Sequence, residues 1–229
     1  TQSRSSAASD VYKRQAQAFS SLADNALFIA AIALIQELHG PDWLAPMMKW
    51  SFALAYVVLA AFVGALADSF PKGRVMFSTN ALKVAGCLLM FSYASIGVAP
   101  EYQTYLVCAA YAVVGIGAAA YSPAKYGIVT EMLPPHMLVK GNSWIEGLTV
   151  FSIILGTVLG GLLISSSVSS ALLSHSFIGN LVHTPAEAAI LVIAFVYLLA
   201  ALCNLMIPRT HVRLSLIHIS EPTRLGMIS

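Results

Sequence analysis

Three ionisable residues interrupt otherwise apolar stretches of this chain: Asp24, Lys83 and Glu146. A charged side chain at membrane depth is costly, so it usually faces a water-filled cavity or a partner of opposite charge. A carboxylate and an ammonium at one depth can pair, which lowers the cost of holding either charge where the dielectric constant is low. Residues of these types can therefore bind a polar ligand in a cavity or lock helices together.

Counting along the chain places the three charges at comparable depths. At about 1.5 Å per helical residue, Lys83 lies roughly 13 Å beyond Arg74, and Glu146 lies roughly 9 Å beyond Lys140. Asp24 lies a similar distance into the first apolar stretch. An asparagine accompanies each charge on its own segment: Asn25, Asn80 and Asn142. We interpret this layer as the lining of a central, inward-facing cavity, with a structural polar cluster as the alternative.

The composition indicates the elements that must position these residues. Of the 229 residues, 58% are hydrophobic and only 10% are charged, and the mean hydropathy is +0.79. A soluble domain normally has about 25% charged residues. Apolar stretches of about 18 residues or more indicate membrane spans, and only helices and closed barrels satisfy backbone hydrogen bonds in lipid. The stretches are too long and uniform for barrel strands, so we predict an all-α integral membrane protein.

Both ends of the chain resemble translated adapter DNA from a transposase-based sequencing library. The codons GTG TAT AAG AGA CAG encode residues 11–15, and their reverse complement, CTG TCT CTT ATA CAC, encodes residues 214–218. We therefore expect residues 1–15 and 214–229 to be artefacts that are not part of the native fold. The part between them, residues 16–213, is expected to continue upstream and downstream in the true protein.

The rest of the sequence argues against several classes of function. Without the four basic and two acidic residues of the two ends, the formal net charge falls from +2 to 0, so no nucleic-acid partner is indicated. The three cysteines lie in apolar stretches without a CxxC motif, so we expect neither disulfides nor a zinc site. Phosphate-binding, metalloprotease and serine-hydrolase motifs are missing, as is a His followed four residues later by Asp, so we predict no enzymatic activity.

Turn residues and charges divide residues 16–213 into six predicted spans. Their approximate bounds are 16–38, 46–66, 75–98, 104–123, 141–164 and 186–207. The serine-rich connection between the last two spans, residues 165–185, is too polar to cross a membrane. We predict a loop with some interfacial contact there, with a short interfacial helix as the alternative.

The polar break at residues 64–74 fixes the predicted orientation. It holds Asp68, Lys72 and Arg74 in one short turn, and basic residues near span ends are retained on the cytoplasmic side. With this turn inside, six basic residues lie on the inner side: Lys72, Arg74, Lys125, Lys140, Arg209 and Arg213. The outer side receives only Lys49, whose long side chain can reach the interface. We therefore expect both ends of the six-span part to be cytoplasmic.

Small residues predict close helix packing at two places. Gly115 and Gly117 leave one face of the fourth span almost without side chains, and Gly156 and Gly160 form a GxxxG pair in the fifth span. Such faces allow helix backbones to approach each other closely.

Four motifs carry a family resemblance. They are FSSLADNALF (19–28), ADSFPKGRVM (67–76), NALK (80–83) and GIGAAAYSPAKYG (115–127). With them, the chain resembles the bacterial lysophospholipid transporter family of the major facilitator superfamily over about residues 16–209. The loop after the second span keeps the superfamily pattern at Gly64, Asp68, Gly73 and Arg74. Two extra residues between Asp68 and Gly73 depart from the common spacing and fit this branch better.

The resemblance implies the amino-terminal six-helix half of a twelve-helix transporter in the bacterial inner membrane. Such a protein moves lysophosphatidylethanolamine and lysophosphatidylglycerol inward by alternating access of its two halves, and we expect no cofactor or metal. An acyltransferase–acyl-carrier-protein synthetase then reacylates the product on the cytoplasmic side. Asp24 and Lys83 would meet the head group, and apolar walls would accept the acyl chain.

Two sets of site residues are predicted. The substrate cavity contains Asp24, Asn25, Asn80, Lys83, Tyr121, Asn142 and Glu146. The cytoplasmic gate contains Asp68, Lys72, Arg74 and Lys125. Two alternatives stay open: an exporter of a drug or small metabolite from the same superfamily, and the membrane part of a fusion with a lipid acyltransferase. Coupling to sodium or protons is also open, because one carboxylate inside a span does not identify an ion.

Overall fold

The computed structural model describes residues 2–132, 135–174 and 181–205. All regular structure in these ranges is helical. Seven α-helices follow one another there: α1 (Gln2–Glu37), α2 (Leu44–Ser69), α3 (Lys72–Phe91), α4 (Pro100–Met132), α5 (Leu138–Ile164), α6 (Ser166–Ser174) and α7 (Pro185–Leu205). Short 3-10 turns follow α3 at Ser92–Ala94 and precede α5 at Pro135–Met137.

Six of these helices correspond to the predicted spans. In the described part of the chain, five segments are long and apolar enough to cross a membrane: Ala16–Glu37, Lys72–Ala94, Pro100–Val129, Leu138–Ile164 and Pro185–Leu205. The remaining one, α2, contains a shorter apolar stretch at Leu44–Ala60. Apolar runs of this length form helices because the backbone must satisfy its own hydrogen bonds in lipid. The predicted all-α membrane fold is confirmed.

Helix α4 is longer than the sequence predicts. The predicted end at Ser122–Pro123 is wrong, because α4 continues to Met132 with Pro123 inside it. Proline removes one backbone hydrogen bond, here to the carbonyl of Ala119, and contacts with neighbouring helices make that loss tolerable in membrane proteins. Helix α4 packs against both α2 and α3. The extension places Lys125 on a helix rather than in a loop.

The serine-rich connection contains a helix, α6, where a loop was predicted. The predicted loop is therefore wrong for Ser166–Ser174. Three serine hydroxyls donate to backbone carbonyls of the preceding turn: those of Ser169, Ser170 and Ser174. Because these bonds satisfy the hydroxyls within the helix, a serine-rich composition does not prevent helix formation. The rest of the predicted loop includes residues 175–180, which lie outside the described part.

The main contacts between the long helices form a continuous series. Helix α5 packs against α1, α1 against α7, α7 against α3, α3 against α4, and α4 against α2. The main core lies where α1, α3, α4 and α7 meet, and its buried members include Ala23, Leu27, Ala30, Leu34, Met90, Val114, Ile190 and Ile193. The many alanines on α1 bring its neighbours close, so that polar side chains from three helices can meet on its surface.

Glycines bring helix backbones into direct contact. A Cβ atom at Gly160 would lie 2.9 Å from the carbonyl oxygen of Ala26, and one at Gly156 would collide with the carbonyl group of Leu22. Helix α5 therefore crosses α1 backbone to backbone, as the GxxxG pair predicts. Gly117 of α4 packs in the same way against α3.

Helices α2 and α5 are the least covered of the long helices. Large apolar side chains are exposed on α2, at Trp50, Leu54, Val57 and Phe62, and on α5, at Phe151, Ile154, Val158 and Leu162. Such surfaces are expected on a protein that meets lipid or another apolar partner. Between α2 and α5, the sides of α1 and α4 form the floor of an open concavity.

Candidate functional site

A buried ion pair joins α1 to α3. The Nζ atom of Lys83 lies 2.8 Å from Oδ1 and 3.0 Å from Oδ2 of Asp24, and it also donates to Oγ of Ser20 at 2.9 Å. The Lys83 side chain is fully buried, whereas 19% of the Asp24 side chain is exposed. Asp24 and Lys83, which the sequence places at a comparable depth, therefore do form an ion pair. All three N–H donors of the ammonium have acceptors, which a buried charge requires.

Further polar groups complete what we call the buried polar cluster: Ser20, Asp24, Asn80, Lys83 and Tyr197. The Tyr197 hydroxyl donates to Oδ1 of Asp24 at 2.6 Å. The Ser20 hydroxyl donates to Oδ1 of Asn80 at 2.9 Å. Helices α1, α3 and α7 therefore share one hydrogen-bond network around the ion pair. The place of Ser20 in this cluster could have been predicted, because Ser20 lies one helical turn before Asp24. The place of Tyr197 could not, because it lies in an ordinary apolar stretch of the sequence.

A cavity of about 390 Å³ lies between α1, α2, α4 and α5, on the exposed side of Asp24. Three of the predicted cavity residues line it: Asp24, Asn25 and Tyr121. Lys83 and Asn80 are buried behind Asp24 and do not line it. The carboxylate of Asp24 thus belongs to both the buried polar cluster and the cavity wall.

Aromatic rings form much of the cavity wall beside Asp24. The ring centroids of Phe28 and Tyr111 are 5.9 Å apart, those of Phe52 and Tyr111 are 5.7 Å apart, and those of Phe52 and Tyr56 are 5.6 Å apart. All four rings line the cavity. A wall of this kind offers apolar contact area and π faces next to a single carboxylate.

Two contacts connect α4 to α5 at one end of the cavity. Lys125 donates to Oγ1 of Thr149 at 2.7 Å, and its Nζ atom lies 4.9 Å from the ring centroid of Tyr126. The Tyr126 hydroxyl donates to the carboxylate of Glu146. The structure therefore brings Lys125 and Glu146 to the same end of the cavity, although the sequence assigned them to different sets.

Lys49 lines the cavity, although its sequence position did not predict this. Its position near the start of α2 indicated a side chain that reaches the membrane interface. In the structure it lines the cavity, and its Nζ atom lies 4.0 Å from the ring centroid of Phe28. No signal in the sequence separated this lysine from an ordinary interfacial one, because the face of α2 that meets α1 depends on tertiary packing.

Three further predicted residues lie away from the cavity wall: Asn142, Lys72 and Arg74. Asn142 is exposed on α5. Lys72 is buried at the start of α3, where a Cβ atom at Gly127 of α4 would collide with its side chain. Arg74 is exposed, and the side chain of Asp68 lies outside the described part of the chain. Lys72 thus connects α3 to the end of α4 that carries Lys125.

Among the described residues, there is no group of three or more His, Cys, Asp or Glu side chains that could hold a metal ion. The cysteines Cys87, Cys108 and Cys203 are free thiols.

Membrane-length helices around a polar, aromatic-lined cavity define a multi-pass α-helical membrane protein. The match to known families is more specific. Residues 16–223 match the family model described as Major Facilitator Superfamily, and the chain belongs to this superfamily. Its helices correspond to the amino-terminal six-helix half of that fold.

Curated relatives are similar over most of the chain. It is 42% identical over 194 residues to the lysophospholipid transporter LplT of Yersinia pestis (strain Pestoides F), and equally to that of Yersinia pseudotuberculosis serotype O:3 (strain YPIII). Each match covers 85% of this chain and 41% of the relative, so the chain spans less than half the length of these relatives. The resemblance predicted from the four motifs is confirmed.

Proposed function

We propose that the complete protein moves lysophospholipids, such as lysophosphatidylethanolamine and lysophosphatidylglycerol, inward across the bacterial inner membrane. The observation that carries this proposal is the Asp24 carboxylate on a cavity wall that is rich in aromatic rings and also carries Lys49 and Lys125. A lysophospholipid has a polar head group and a single acyl chain, and a site with both kinds of surface fits such an amphiphile. The names of the relatives support the same substrate class.

In this proposal, Asp24 contacts the head group and Lys83 acts through Asp24. Lys83 is fully buried and its donors are occupied by Ser20 and Asp24, so it holds the carboxylate in place from behind. Tyr197 donates to the same carboxylate from α7. The carboxylate keeps its exposed side towards the cavity, where it can accept hydrogen bonds from an ammonium or from glycerol hydroxyls.

The transport cycle is proposed to be alternating access against a second six-helix half that lies outside this chain. The contacts of Lys125 with Thr149 and of Tyr126 with Glu146 connect α4 to α5 at one end of the cavity. We assign these contacts, together with Asp68, Lys72 and Arg74, to a cytoplasmic gate. The positive-inside bias supports this orientation and cytoplasmic ends for the six-span part.

The complete protein is proposed to move the lipid without carrying out chemistry on it. Reacylation would be the work of an acyltransferase–acyl-carrier-protein synthetase on the cytoplasmic side. This division is supported by the missing catalytic motifs and by membership of a transporter superfamily.

Uptake by spheroplasts tests this function. The complete gene would be expressed in a strain that lacks its own lysophospholipid transporter, and uptake of labelled lysophosphatidylethanolamine would be measured. We expect uptake that depends on expression of the protein. Normal membrane insertion without any uptake would overturn the proposal and favour an exporter of another solute.

A further inference from the structure

We propose that Lys49 binds the phosphate of the substrate's head group and forms an anion-binding site in the cavity, separate from the Asp24–Lys83 pair. This inference rests on the proposed function, since it names the part of a lysophospholipid that the residue contacts. Lys49 belongs to none of the four motifs that carry the family resemblance.

Lys49 reaches from α2 across to the cavity face of α1. It lies in the second turn of α2, lines the same cavity as Asp24, and holds its Nζ atom 4.0 Å from the ring centroid of Phe28. Phe28 follows Asp24 by four residues, which is about one helical turn or roughly 6 Å along α1. The ammonium and the carboxylate therefore face one cavity at neighbouring levels.

The three lysines in or next to the cavity differ in burial and in how many of their N–H donors remain for a ligand. Lys83 is buried with all its donors occupied, and Lys125 is buried and donates to Thr149. Lys49 is exposed, and among the described residues no carboxylate lies within ion-pair distance of it. The face of Phe28 attracts the ammonium without supplying a lone pair, so N–H donors remain for a ligand. Lys49 is thus the cavity cation best able to accept an anion.

Phosphate is the anion that this arrangement fits. The phosphodiester of a lysophospholipid carries one negative charge, and a lysine binds phosphate as a point charge through short, charge-assisted hydrogen bonds. The cation–π contact also limits the conformations of a long side chain, which lowers the entropy lost when a ligand binds. The aromatic wall next to Lys49 then accepts the first part of the acyl chain.

Equilibrium binding to the purified complete protein tests this assignment. The probe is radiolabelled lysophosphatidylethanolamine, and monoacylglycerol with the same acyl chain serves as a phosphate-free competitor. We expect Lys49→Gln to raise the Kd for the lysophospholipid about ten-fold, because a hydrogen bond to a charged group is lost. Lys49→Arg should stay close to wild type, and the affinity for monoacylglycerol should be equal in all three proteins.

A matched control separates this contact from a general loss of positive charge. Lys140→Gln removes the same charge from an exposed position of α5 that does not line the cavity, and it should leave the Kd unchanged. A Kd for Lys49→Gln within two-fold of wild type, or an equal rise in Lys140→Gln, would overturn the inference. Binding of inorganic phosphate that is lost in Lys49→Gln while the Kd for the lipid is unchanged would also overturn it, since Lys49 would then serve free phosphate.

The inference stays testable if Lys49→Gln does not fold. Wild-type protein that binds monoacylglycerol as tightly as lysophosphatidylethanolamine has no phosphate contact, and the proposal then fails. The proposed function fails separately, through absent uptake. Uptake by wild type together with an unchanged Kd in Lys49→Gln would reject only the role of Lys49.

Discussion

The two polar regions of this molecule differ in whether the lysine ammonium is enclosed by hydrogen-bond acceptors or exposed in the cavity. In the buried polar cluster, the Lys83 ammonium is shut in by Asp24 and Ser20, and Tyr197 closes the network from α7. In the cavity, the Lys49 ammonium lies exposed over an aromatic ring. Both lysines come from the same kind of apolar stretch, and only one of them is available to a ligand.

This contrast shows that a charged residue inside a membrane span is not, by its charge alone, a binding residue. A buried charge with every donor satisfied fixes helices relative to one another, because removing its partner would leave an uncompensated charge in a low-dielectric site. A charge with free donors on a cavity wall can exchange water for a ligand. Asp24 is the point of contact between the two regions, so variants of it should have the largest effect.

The Asp24→Ala variant of the complete protein should abolish uptake of lysophosphatidylethanolamine, by about 100-fold or more, while the protein still inserts into the membrane. The change removes the cavity carboxylate and the partner of Lys83 together. Uptake in spheroplasts, normalised to the protein in the membrane, measures the effect. The control is Asp42→Ala, an exposed acid in the loop before α2. Normal uptake in Asp24→Ala would remove Asp24 from the site.

The Lys83→Ala variant should also abolish uptake, and it should lower the stability of the purified protein. Breaking a buried pair by removing one partner costs about 3–5 kcal/mol, which thermal unfolding in detergent detects. The exchange Asp24→Lys with Lys83→Asp should restore part of the uptake, because it keeps the pair. If the exchange restores none, the two residues have separate roles.

The Tyr197→Phe variant should reduce uptake several-fold. It removes one hydrogen bond to a charged acceptor, which is worth about 1.5–3 kcal/mol, and leaves the ion pair in place. The matched control is Tyr93→Phe, because the Tyr93 hydroxyl donates to Glu187 at 2.7 Å far from the cavity. Both variants should lose stability, and only Tyr197→Phe should lose uptake. An equal loss of uptake in both would mean that stability alone explains it.

The smallest effect is expected for stability of the Lys49→Gln variant. An exposed side chain of this kind contributes within about 0.5 kcal/mol, so its melting temperature should match wild type, whereas Lys83→Gln should unfold at a clearly lower temperature. Parallel thermal unfolding of the two variants makes this comparison. A similar drop in both would show that Lys49 is structural, and the contrast between the two regions would disappear.

Most of the fold could be predicted because membrane helices depend on properties that act along the chain. Length, apolar composition and turn residues locate six spans without reference to their neighbours. The errors arose where packing decided the outcome. Pro123 ends a helix by local preference, yet α4 continues through it, and the serines of α6 satisfy their own hydroxyls inside a helix.

The depth of the candidate-site residues along their helices could be predicted from the sequence. The direction in which their side chains point could not. Counting residues placed Asp24 and Lys83 at one level, and the two side chains do meet. Counting does not give the angle at which α3 faces α1, so it could not tell that Lys83 lies behind the carboxylate. For the same reason, Lys49 appeared as an interfacial residue and Tyr197 as part of an apolar run.

The backbone crossing of α1 and α5 at Gly156 and Gly160 also has a mechanical consequence. At these two glycines the nearest atoms of α1 are backbone atoms and the Cβ atoms of Asn25 and Ile29, so the two helix backbones approach each other closely there. Moving the two helices apart would therefore lose this close backbone packing. A cavity that widens while this crossing stays intact must do so through movement of α2 or α4, which also line it.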